Sequence, residues 1–391
     1  MSEARLIRAG HSPAFLAADG PLRRLPRQPE RQRPREFLER FEDRALVYDC
    51  FRHPDGERIL LVGPPPMNLM PELRRADYLA LPARTRLTPA FHASLSTMIT
   101  ELSGAPSGTT AVRLTVNGQS FELAVQPNHA AELAGRRLLF TMSKDNDLAW
   151  IAEWARWHQR LHGTDAIVLF DNGSSRYGTD EIEQTLLGVD GIDRVAVLRW
   201  PYRFGPVDRS LRIDPYWSRF LQIASMSVTL RRFGPNAHGL INADIDELSA
   251  TRSGRSLYDL ARASRGGLVV YRGVWIEPVP AGTSGGEAPT HRHFLSRSGD
   301  PRHAASRQRK WTLDPSRAWV QKLSVHPYWH WIEGRSLMAK SMPADAFYWH
   351  FRGISTDWKD ARTLQRTEGG LVSDGALARA FGRVLNGSEG G

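Results

Sequence analysis

In the run Asn242-Ala243-Asp244-Ile245-Asp246-Glu247-Leu248, two carboxylates stand at i and i+2 directly after an apolar lead-in, Gly239-Leu240-Ile241. That spacing suits a hard divalent cation. Mg²⁺ and Mn²⁺ take oxygen ligands and combine one or two carboxylates with substrate phosphates, so Asp244 and Asp246 at the end of a buried strand predict a metal-diphosphate site. The same tripeptide occurs in turns and helix starts, where a carboxylate caps backbone N–H groups. The bare motif leaves both readings open, and the surrounding elements must choose.

Those elements alternate. Leu138-Leu139-Phe140-Thr141-Met142 is a short apolar run without alternation, the pattern of a parallel strand covered on both faces. Leu148, Ile151, Ala155 and His158, with Trp154 and Leu161, then repeat at helical spacing, and Gly163 is placed to end the helix. Strand-type segments follow at Ala166 to Phe170, Arg194 to Arg199, Gly239 to Ala243 and Gly267 to Trp275. Between them lie a helix from Asp180 to Leu187, a long amphipathic stretch from Tyr216 to Phe233 and a helix around Leu257 to Ala263. This order predicts an α/β fold with a Rossmann-like, mainly parallel sheet. In such sheets ligands bind beyond the carboxyl ends of the strands. Three polar loops fall there, Ser143 to Asp147, Asp171 to Ser175 and Asp244 to Glu247, and their coincidence favours the metal reading over the cap.

Upstream the pattern is antiparallel. Val112, Leu114 and Val116 alternate with polar residues, Asn117-Gly118 supplies a two-residue type I′ turn, and Phe121, Leu123 and Val125 resume the alternation, with Leu114 opposite Phe121. Ala45 to Phe51 and Arg58 to Gly63 flank a second turn cluster, His53-Pro54-Asp55-Gly56. Residues 40–135 therefore read as a small antiparallel β domain, an accessory or acceptor-recognition module. Before it, Arg23, Arg24, Arg27, Arg31, Arg33 and Arg35 alternate with Pro21, Pro26, Pro29 and Pro34, so residues 1–39 read as a disordered or extended arm, either a solvated linker or an anion-binding tail. The α/β unit takes residues 136–365, and a C-terminal helix and flexible tail take 366–391.

Composition excludes some classes. No apolar run reaches the roughly 18 residues of a membrane span, which predicts a cytoplasmic protein. The single cysteine, Cys50, excludes an internal disulfide and a cysteine zinc cluster. A net charge of +10, from 52 Lys and Arg against 42 Asp and Glu, favours anionic partners. No segment joins a continuous basic face to exposed aromatics, so a nucleic-acid partner is not expected.

Taken in order, Lys144-Asp145-Asn146-Asp147-Leu148, Glu153-Trp154, His158, Gly163, Asp171-Asn172-Gly173-Ser174 and Asp244-Ile245-Asp246-Glu247 resemble the GT-A glycosyltransferases of the family 2 and family 92 type. Gln321 to Pro327 and His350-Phe351-Arg352-Gly353 resemble that group's late basic segment and terminal histidine motif. The family opening is commonly Lys-Asn-Glu, whereas Asp145 and Asn146 reverse the order of carboxylate and amide. The resemblance implies that Lys144, Asp145, Asn146, Asp171 and Asp244 bind the nucleotide part of a nucleotide-diphosphate sugar donor. It implies that Asp244, Asp246 and His350 hold Mn²⁺ or Mg²⁺, although His350, within Tyr348-Trp349-His350-Phe351, also reads as aromatic core.

Transfer with inversion needs a carboxylate base for the acceptor hydroxyl. The candidates are Glu277, which follows a strand ending at Trp275-Ile276, then Asp300 and Asp314. Pro278 to Lys310, rich in Gly, Ser, His and Arg, reads as a mobile basic lid over the diphosphate; its His291-Arg292-His293 lacks a third metal ligand. The expectation is a metal-dependent glycosyltransferase acting on a saccharide or related acceptor, in surface polysaccharide synthesis. The alternative is a non-catalytic nucleotide- or carbohydrate-binding protein of the same fold. A peripheral membrane contact and the oligomeric state stay open.

Overall fold

The computed structural model describes residues 5–206, 218–280, 288–335, 342–356 and 370–386. The expected flexible tail at 387–391, the start of the amphipathic stretch at 216–217 and part of the basic segment, 281–287, lie outside them.

Nine strands build the central sheet: β1 (Arg5–Leu6), β2 (Arg137–Ser143), β3 (Ala166–Asp171), β4 (Arg194–Arg199), β5 (Gly239–Asn242), β6 (Glu247–Thr251), β7 (Leu268–Ile276), β8 (Ala305–Leu313) and β9 (Ala346–Phe351). Their order is β1-β4-β3-β2-β5-β8-β7-β9-β6. The first five of that order run parallel, β8 is antiparallel to both neighbours, and β9 is parallel to β7 but antiparallel to β6. The protein is α/β, with a large mixed, mostly parallel sheet and small antiparallel sheets, an arrangement compatible with a Rossmann-like fold.

The unbroken apolar runs of β2 and β3 have a direct cause. Leu138, Phe140 and Met142 enter one core with Val168 and Phe170, while Leu139 enters another with Ile167 and Leu169. Helix α1 (Leu148–His162) covers the second face through Ile151, Trp154 and Trp157. Asp147 caps its start by accepting from Ala149 N–H, and Gly163 closes it at φ +67, a left-handed conformation cheap only for glycine. Helix α2 (Thr179–Leu187) joins β3 to β4. Each large aliphatic side chain so buried contributes about 1.5–3 kcal/mol.

The other face is covered by α3 (Phe220–Val228), prolonged by a π-helical turn, Thr229–Phe233. The expected amphipathic helix is buried on all sides from Phe220 to Phe233. Its two arginines find partners inside. Arg231 donates to the carbonyls of Val320, Lys322 and Val325 at 2.7–2.8 Å, and Arg232 pairs with Asp49 at 2.9 Å, both side chains fully buried.

Two four-stranded antiparallel sheets precede this unit. Ala111–Val116 pairs with Gln119–Ala124, placing Leu114 opposite Phe121 and Val112 opposite Leu123. In the other sheet Asp49–Arg52 pairs with Ile59–Gly63. Ile59 and Leu61 face the first sheet, whereas Leu60 and Val62 enter the core shared with β2 and β3, so this strand joins the two units.

The arginine-proline arm is docked on the fold as far as Arg24. Leu6 and Arg5 form β1, Ala14–Phe15 pairs with Ala45–Val47, and Arg24, 1% exposed, donates to the carbonyls of Pro65, Glu42 and Ala45. Carbonyl partners for the guanidinium donors remove the penalty that made this composition read as unburiable. The basic segment from Pro278 is likewise not one mobile loop in its described part. Ser296–Ser298 pairs with Leu371–Ser373, and β8 begins at Ala305. Helices α4 (Leu257–Ala263) and α5 (Gly375–Asn386) complete the unit. Among the described residues, no helix is long and apolar enough to cross a membrane.

Candidate functional site

The turn between β5 and β6 is held from several sides. Glu247 folds back so that its carboxylate accepts from Asp244 N–H at 2.8 Å, and its own N–H reaches the Asp244 carbonyl at 3.0 Å. Phe351 N–H donates to the Asp246 carbonyl at 2.9 Å, and the buried His291 ring, through Nε2, meets the Ile245 carbonyl at 2.8 Å. Behind His291 lies Glu153, 3.3 Å from Nδ1, with Arg292 Nε at 2.5 Å from its other oxygen. Burial alone would raise the Glu153 pKa; His291 and Arg292 outweigh it and bring it down to about 2. His291 is thus a buried support of the turn, and His293 Nδ1 accepts from Thr290 N–H at 2.9 Å.

Strand register collects the rest. Trp275, His350 and Glu247 are direct cross-strand neighbours on β7, β9 and β6. His350 stacks on Trp275 with centroids 3.9 Å apart, and its Nε2 lies 3.2 Å from Asp246 Oδ2. Asp246, Glu247 and His350 are all buried and offer ligand atoms within 4.8 Å of one another. His350 Nδ1 is buried with no hydrogen-bond partner among the described residues. Two carboxylates and an imidazole fit a divalent cation, and the nitrogen donor suits Mn²⁺ better than Mg²⁺. Of the expected metal ligands, Asp246 and His350 stand together, and Glu247 stands where Asp244 was expected.

Asp244 has other partners. Lys310 Nζ, on β8, lies 3.1 Å from Asp244 Oδ2 and 2.7 Å from Glu247 Oε2, and Gln222 Nε2 is 3.5 Å from Asp244 Oδ1. Burial alone would lower the Lys310 pKa; Asp244 and Glu247 hold it raised. Glu247 itself is raised, chiefly by burial, with Lys310 opposing. His330 is pushed down to about 4 by burial and by Lys310, and its Nδ1 lies 2.7 Å from the Arg309 carbonyl. Sequence reasoning missed Lys310 and His330. The signal available was apolar spacing resuming at Trp311-Thr312-Leu313 beside a basic run.

The loops at 143–147 and 171–175 are tied to each other. Asp145, at φ +52, donates its N–H to Ser174 Oγ at 2.8 Å, and its carboxylate accepts from the N–H groups of Ser175 and Arg176 at 2.7 and 3.1 Å. Asp171 accepts from Ser174 N–H, and Asn146 donates to Ser143 Oγ at 2.8 Å. A cavity of about 240 Å³ opens beside Lys144 and Asn172 of these loops. Lys144, Asn172, Tyr202 and Arg203 line it, and the short helix Phe37–Arg40 adds Glu39 and Arg40. Asn172 fixes the wall by donating to the carbonyls of Trp200 and Tyr202 at 2.7 and 2.9 Å.

The three candidate bases separate. Glu277 follows β7 at the edge that carries Trp275 and His350. Its pKa is raised by burial, with Arg352 opposing; Arg352 Nε is 3.5 Å from its Oε1, an ion-pair distance too long for a good hydrogen bond. Asp300 caps the short helix Pro301–Ala304 and pairs with Arg302 at 2.9 Å. Asp314 lies at the far edge: β8 runs against β5 and pairs Leu313 with Leu240, so Asp314 sits by the start of β5, bound to Ser316 and Arg317.

No protein-family model matches the chain, and no curated protein matches it.

Proposed function

We propose that the chain is a metal-dependent glycosyltransferase of the GT-A type, moving a sugar from a nucleotide-diphosphate donor to a saccharide or related acceptor. The observation that carries this reading is the grouping of Asp246, Glu247 and His350 in the turn and strands at the carboxyl end of β5. The cavity lined by Lys144, Asn172 and Arg203 supports a place for the nucleoside. Asp246, Glu247 and His350 would hold a divalent ion, which would supply Lewis-acid stabilisation of the leaving diphosphate. Trp275 stacks against His350 and, with Arg352 4.1 Å from its ring centroid, fixes the orientation of that imidazole. Glu277 is the assigned base; its raised pKa makes it a stronger proton acceptor than a solvated carboxylate.

The test is a panel of nucleotide-diphosphate sugars with Mn²⁺, followed by thermal shift and by release of nucleoside diphosphate. Expected is stabilisation and turnover with one donor, and loss of turnover on Asp246→Asn and on Glu247→Gln. Near-normal turnover in the Asp246→Asn, Glu247→Gln double variant sinks the metal assignment. The non-catalytic alternative draws on Lys310, which already pairs with both Asp244 and Glu247; it requires donor binding without turnover.

A further inference from the structure

Glu247 has two claims on it. It is one of the three side chains grouped for a cation, and it is also the tighter partner of Lys310, at 2.7 Å against 3.1 Å for Asp244. Lys310 and Glu247 are each 1% exposed at the side chain, so this pair is shielded from solvent and from salt. The Asp244 carboxylate is more open, at 25% exposed. An ammonium in contact with Glu247 and a dication on the same carboxylate repel each other strongly in so dry a place. Lysine has a flexible four-carbon stem, and an ammonium that leaves Glu247 stays tethered by Asp244 on the open side. His330, the nearby imidazole, is neutral at pH 7 and adds no competing charge.

We propose that Lys310 is a built-in competitor for the metal site: its ammonium occupies Glu247 until a divalent cation displaces it toward Asp244. The proposal rests on the metal part of the reading above and not on sugar transfer. The affinity of the site for a lone cation is then set by the strength of an internal ion pair, and any change that removes the lysine charge strengthens cation binding.

The experiment is Mn²⁺ titration of the full chain, followed by the electron paramagnetic resonance signal of the free ion. Lys310→Met is expected to tighten Mn²⁺ binding at least tenfold, Lys310→Gln to act similarly, and Lys310→Arg, which keeps the charge, to stay near the unsubstituted protein. Asp246→Asn combined with Lys310→Met returns the affinity to weak. Neutral variants that bind Mn²⁺ no better than the unsubstituted protein overturn the proposal. Should both neutral variants fail to fold, the unsubstituted chain decides: saturating Mn²⁺ is expected to raise acylation of Lys310 several-fold, read by peptide mass spectrometry, with exposed Lys322 as the control. Unchanged Lys310 labelling overturns it as well. A chain that transfers no sugar but shows these metal effects leaves this proposal intact and fails only the transferase reading.

Discussion

Glu153 offers a quantitative check on how the Asp244–Glu247 turn is supported. Its carboxyl has an ordinary value of 4.5 and is held at about 2 in the folded chain by His291 and Arg292. A depressed carboxyl stabilises the fold above its unfolded value, and that stability is lost as pH falls toward the folded value. At 1.36 kcal/mol per pKa unit, the 2.5-unit difference between the two values is ~3 kcal/mol of stability present at pH 7. Linkage gives a loss of ~0.8 kcal/mol by pH 4 and ~2 kcal/mol by pH 3. Glu153→Gln removes the titrating group without changing its shape. Urea unfolding of both proteins at pH 7, 5, 4 and 3 measures the difference between them, which is expected to be largest at pH 7 and to shrink along that curve. Curves that run parallel down to pH 3 refute the argument. So does a Gln variant as stable as the parent at pH 7.

Two further outcomes are accessible by the same unfolding assay. Asp49→Ala leaves the Arg232 guanidinium buried without its counter-charge and is expected to cost about 3–5 kcal/mol, whereas Asp49→Leu with Arg232→Met is expected to recover most of that loss. Asp314→Ala is expected to cost about 1–3 kcal/mol by freeing Ser316 and Arg317. It is also expected to leave the Mn²⁺-induced thermal shift unchanged, since Asp314 lies at the opposite sheet edge.

Local chemistry was readable wherever neighbours in sequence are neighbours in space. The Asn117-Gly118 hairpin sets its own register, and Asp147 and Gly163 bracket α1 as their types predict. Asp246 stands out because it follows an apolar strand. Lys310 does not, because its partners lie more than sixty residues away and Arg-Gln-Arg-Lys has the composition of a solvated loop; only the register of β8 shows that it points at Glu247. The same holds for Arg24 and Arg232, whose carbonyl and carboxylate partners come from distant segments. A composition that predicts exposure fails when each donor meets an acceptor that folding alone brings near.

β9 is the last strand of the central sheet in chain order, yet it lies between β7 and β6. During synthesis, Asp246 and Glu247 emerge about a hundred residues ahead of His350, and among the described residues β6 pairs only with β9. A nascent or prematurely ended chain therefore carries the acids without the imidazole and without the strand that aligns them. The proposed cation site is complete only in chains translated past Phe351.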